Sequence, residues 1–189
     1  MDRRTFLQTA GLASIAAATL PGLALPALAE HDAMGFTFVA VNGAGEGPID
    51  GVVHRVVLTA NGTFNPSQVV ASGTFTHFDG ASGPPATIIA SGTWRSRQLL
   101  RWESLGWYGN LGAGILEMEI DMMPQISISE VPPVIPATLK VVCNIGPAGL
   151  TTGEPEGFVL TIPGQPLPPF SPLTPPVGVT SFPRSNATG

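Results

Sequence analysis

Trp94-Arg-Ser-Arg-Gln-Leu-Leu-Arg-Trp102 and Ile115-Leu-Glu-Met-Glu-Ile-Asp-Met-Met123 decide the fold class. In the second stretch Leu116, Met118, Ile120 and Met122 alternate with Glu117, Glu119 and Asp121. That is the two-residue period of a strand with one dry and one wet face. In the first stretch Arg95, Arg97 and Arg101 share one parity, Trp94, Leu100 and Trp102 share the other, and Leu99 alone breaks the pattern. Joined across the glycine-rich 106–114 and paired, the two strands oppose basic to acidic residues and apolar to apolar ones. The face carrying Leu116 and Met118 is the one expected to be buried.

Runs at 36–41, 52–59, 68–78, 86–97, 135–144 and 157–162 read as further strands. Asn61-Gly62 is a tight-turn signal and Asn65-Pro66 another. Outside the N-terminal run, no window has helical apolar spacing free of glycine or proline. Ala71-Ser-Gly-Thr-Phe75 recurs as Ala90-Ser-Gly-Thr-Trp94, each copy with glycine in mid-strand, as at a bulge or barrel corner. The expected fold is an all-β antiparallel meander of about 7–8 strands, a small barrel in preference to a sandwich. In this reading residues 30–162 make the β-domain. Eight of the 21 residues from 163 to 183 are proline, interleaved with Leu167, Phe170, Leu173, Val177, Val179 and Phe182. Proline donates nothing to a ladder, yet disordered tails lack such apolar residues. Residues 163–189 therefore read as a proline-rich C-terminal arm laid along the domain or a neighbouring subunit.

At the other end, Arg3 and Arg4 precede Phe6-Leu7, an uncharged apolar run reaches Leu28, and Ala27-Leu28-Ala29 is a small-x-small cleavage site. This segment resembles a twin-arginine export signal, with Asp2 and Gln8 departing from its usual residues. The resemblance implies that residues 1–29 are removed and that the chain is exported, already folded, to the periplasm or beyond. Loss of Asp2, Arg3 and Arg4 takes Lys+Arg from 8 to 6 and Asp+Glu from 13 to 12, so the mature net charge is 6 minus 12, or −6. A single lysine, Lys140, and no basic cluster argue against nucleic-acid or anionic-membrane binding after cleavage. Cys143 is the one cysteine, which rules out an intrachain disulfide.

Little in the mature chain points to chemistry. His31, His54 and His77 are far apart, with no His-x-His pair, and no metal site or cofactor is expected. No histidine or methionine follows Cys143, which excludes a blue-copper centre. There is no Gly-x-Ser-x-Gly elbow, and Glu154-Pro155-Glu156 reads as a solvated acidic turn. If the sheet were inverted, Arg95, Arg97, Glu117, Glu119 and Asp121 would line a lumen. His54, His77, Arg97 and Glu119 would then be the acid–base candidates of a small barrel enzyme, such as an isomerase or cyclase. Burying so many charges requires every one to be paired, so the outward stripe is the expectation. The expected function is that of an exported, non-enzymatic binding, assembly or structural domain. A small apolar ligand or a second copy of the chain is its expected partner.

Overall fold

The expected hairpin is the spine of the molecule, and it is longer than its sequence pattern. The computed structural model describes residues 34–44, 53–79, 87–127, 133–165 and 167–184; the expected export signal, His31 and most of the 79–85 loop lie outside them. The described residues form eight strands: β1 (Met34–Ala44), β2 (His54–Asn65), β3 (Gln68–Asp79), β4 (Ile88–Tyr108), β5 (Leu111–Ser127), β6 (Ile135–Cys143), β7 (Gly157–Thr161) and β8 (Phe170–Pro183). One helical turn, α1 (Gly146–Leu150), stands between β6 and β7, a short departure from the all-strand reading. Each strand is antiparallel to the next, as the all-β meander reading anticipates, and β8 returns to pair with β1, so the pairings follow a ring.

In β5 the dry parity is the buried one, with Leu116, Met118 and Ile120 all at 0% exposure. They stand opposite Val141, Leu139 and Ala137 of β6, also buried. The rest of the core comes from Val56, Leu58 and Phe64 of β2, Phe75 of β3, Trp94 of β4, Phe158 and Leu160 of β7, and Phe170 and Phe182 of β8. Phe182 meets Phe64 and Trp102 edge to face, and Phe64 is tilted against Trp102, with ring centroids 4.7–5.8 Å apart.

Three expectations need correction. Residues 106–114 are not a loop: the turn is Gly109-Asn110 alone, between Tyr108 and Leu111. Within β4, register shifts at Ser96/Gln98 and Leu99/Arg101 each insert one residue and flip the parity. Leu99 thereby comes opposite Met118 and packs on the core, while Leu100 is turned out to 44% exposure. Second, Asn61-Gly62 is mid-strand, paired to Thr37 and Phe36 on one side and to Ser72 and Ala71 on the other. A Cβ on Gly62 would stand 2.5 Å from that of Ala71, so glycine is there for close strand approach. The real β2–β3 turn follows Asn65, whose side-chain oxygen accepts from the Ser67 and Gln68 amides at 2.9 and 3.0 Å. Third, the proline-rich arm is a strand. β8 runs along β1 from Thr37–Ser181 to Ala44–Phe170, and residues 173–176, with two of the prolines, bulge out between the Val41–Val177 and Asn42–Pro172 pairs. On its other side β8 is laddered only at Phe170, Phe182 and Pro183 among the described residues, which leaves its remaining prolines no donor to withhold there.

The repeated pentapeptide explains itself in register. Gly73 faces Trp94, Thr74 faces Thr93 and Phe75 faces Gly92, so each aromatic lies over the other copy's glycine. The Trp94 indole N–H crosses Gly73 to donate to the Thr59 carbonyl at 2.9 Å, and Thr74 Oγ1 and Thr59 Oγ1 meet at 2.7 Å. A Cβ on Gly73 would collide with the Thr59 carbonyl and stand 2.8 Å from that indole nitrogen. Gly73→Ala is thus expected to lower the urea unfolding free energy by about 2–4 kcal/mol, through overpacking and a lost buried hydrogen bond. A change below ~0.5 kcal/mol would show that the strands can part there freely.

Candidate functional site

The ring brings together two of the four proposed acid–base residues and keeps the other two outside. On β2, His54 shares the inward parity of Val56 and Leu58; on β3, His77 shares that of Phe75. Val56 stands opposite His77 and His54 opposite Asp79, so the two histidines are diagonal neighbours across the strand pair. His54 Nδ1 and His77 Nε2 lie 2.9 Å apart, a hydrogen bond in which one nitrogen carries the proton and the other accepts. Phe170 closes the inner side, its ring edge-on to His77 at 5.4 Å. Burial, reinforced by His54 beside it, pushes the His77 pKa down to about 4, so His77 is neutral at pH 7.

Arg97 and Glu119 belong to the outer face. Arg97 Nε and Arg95 both lie 3.6 Å from the Asp121 carboxylate, and Arg101 pairs with Glu103. Glu119, at the outward parity of β5, stands between Gln98 and Thr138. The lumen of guanidinium and carboxylate groups that the inverted sheet required is therefore not what these strands enclose. The reason is the desolvation penalty: the same sheet turned over would leave Leu116, Met118, Ile120 and Met122 in water and the charges dry.

At the far end of β6, Cys143 is buried, its thiol pushed up by burial and donating to the Thr180 carbonyl at 3.5 Å. Thr180 is a buried polar residue with no signal in the sequence pattern. Its hydroxyl reaches the Val142 carbonyl at 2.8 Å and Glu156 Oε1 at 3.2 Å, stitching β8 to β6 where no ladder runs between them. Glu154 is held by Lys140 at 2.9 Å. Among the described residues no three His, Cys, Asp or Glu side chains converge as metal ligands, and no helix is long and apolar enough to cross a membrane. The histidine pair can carry and pass a proton. No protein-family model, curated protein or solved structure matches this chain.

Proposed function

We propose that the mature chain is an exported, non-enzymatic assembly or binding domain that meets a second copy of itself through the outer face of β8, β1, β2 and β3. What supports this reading is where the charges are not. Arg95, Arg97, Arg101, Glu103, Glu117, Glu119, Asp121 and Lys140 all belong to β4, β5 and β6, whereas β1, β2, β3 and β8 hold only Arg55 and Asp79. On β8, Val177 and Val179 are 47% and 67% exposed, and they stand opposite Val41 and Val39 of β1. The same rows continue through Val57 and Thr59 of β2 to Thr76 and Thr74 of β3. For a mature chain of net charge −6, copies repel except where such a neutral face is presented. Self-association through it would be isologous, the commonest arrangement for homodimers.

A small apolar ligand fits less well, because the inner positions that would receive it are taken by Phe64, Trp94, Phe158 and Phe182. The leader-cleaved protein is expected to sediment as a dimer at micromolar concentration. Val179→Glu should weaken that dimer at least tenfold while leaving the monomer's melting temperature within a few degrees. A native protein that sediments as a monomer throughout would overturn the reading.

A further inference from the structure

We propose that the His54–His77 pair is a proton-operated latch on the seam between β7 and β8. The ring of strands is thinnest there: among the described residues the ladder between β7 and β8 is the single pair Leu160–Phe170. Phe170 is 1% exposed, and its ring is the surface against which His77 packs. The latch thus sits under the residue whose position closes the seam.

The contact tolerates one proton between the facing nitrogens and fails with two. With one proton, His54 Nδ1 and His77 Nε2 share an N–H···N hydrogen bond at 2.9 Å. A second proton in the gap puts N–H on both facing nitrogens and a positive charge on the ring that takes it, with no acceptor left between them. The surroundings do nothing to soften this at His77. Phe170 and Leu160 come from a stretch, 157–183, that contains no ionisable residue. The β4 residue opposite His77 is Ala90, and β1 has no charged residue between Met34 and Ala44. Among the described residues Asp79 is the carboxylate at this end of the strand pair, and it stands across from His54, not His77; Arg55 has the outward parity of β2. With His77 protonated the pair therefore relaxes by turning His77 out toward water, which removes the edge-on support of Phe170 and frees the seam.

The sign follows from linkage. His77 binds its proton less readily in the folded chain than at its ordinary value of 6.5, with a folded value of about 4. Its contribution to closure is complete above pH 6.5, declines as the pH falls below that, and is gone near pH 4. An exported protein meets that range whenever its surroundings acidify.

Amide hydrogen exchange on the full chain, corrected for the intrinsic pH dependence of exchange, reads the seam directly. Between pH 7 and pH 4 the amides of Gly157–Thr161 and the start of β8 are expected to lose protection at least tenfold, while those of the β4–β5 hairpin keep theirs. The midpoint should coincide with the titration of the His77 imidazole followed by NMR. In His77→Phe, which keeps an aromatic ring against Phe170 but cannot be protonated, protection should stay flat over the same range. A seam that stays closed in the native protein, or that opens equally in His77→Phe, overturns the proposal. Should His77→Phe fail to fold, a native opening midpoint that departs from the imidazole titration does the same, and coincidence of the two supports the latch.

Discussion

A chain that ends at Ile162 is expected not to fold. Removal of 163–189 takes away all of β8, and with it Phe170 and Phe182 from the core and the buried Thr180 hydroxyl that ties Val142 to Glu156. Each phenylalanine contributes about 2–3 kcal/mol through burial. Their loss also strips cover from Phe64, Trp102 and His77, which pack against them. β1 loses its second partner along most of its length. Together these terms reach the roughly 5–15 kcal/mol that hold a domain of this size. The check is the near-ultraviolet circular dichroism of the three tryptophans and a urea titration of the truncated protein. A cooperative transition that survives truncation would mean that β8 is an accessory arm, the role its prolines suggest on sequence alone.

Met118→Asp is expected to be nearly as damaging, and its neighbour in sequence harmless. Met118 is fully buried between Leu99 of β4 and Leu139 of β6. Aspartate there loses the methionine's packing, about 2–5 kcal/mol, and must bury a carboxylate or take up a proton to avoid doing so. A total above ~4 kcal/mol is expected. Glu119→Gln, one residue on and half-exposed on the charged face, should change stability by less than ~1 kcal/mol. Thermal melts of the two variants settle the order. Were Glu119→Gln the more harmful, the charged parity would have to face inward, and the barrel-enzyme reading would return.

The strand content was legible because β5 keeps an unbroken alternation, and alternation is the direct imprint of a sheet with one dry face. β4 was legible only in part. Its bulges at Arg97 and Leu100 displace Leu100 outward and Leu99 inward, and a bulge leaves no mark in a periodicity that assumes one residue per step. The histidine pair was hidden by a turn. With Asn61-Gly62 as the loop, His54 would stand opposite Val69, far along the strand from His77. With the turn after Asn65, His54 stands opposite Asp79 and beside His77. A choice between two turn signals four residues apart thus determines whether there is any candidate site to find. β8 failed as a sequence reading for a different reason. Proline was weighed as though both edges of the strand were laddered, whereas one edge is served largely by the Thr180 side chain and the other carries the bulge at 173–176.

The pairing of β8 with β1 also brings together the two ends of the described residues, Met34 and Arg184. Thr37 stands opposite Ser181, and a Cβ on Gly35 would be 3.7 Å from the Pro183 carbonyl. The greatest separation along the sequence is therefore among the shortest distances in space, and in topological terms the order of strands is cyclic, with no first or last member. Whatever precedes Met34 and whatever follows Arg184 leave from the same rim, side by side. A fusion partner or surface tether attached at either terminus would hold the molecule in nearly the same orientation.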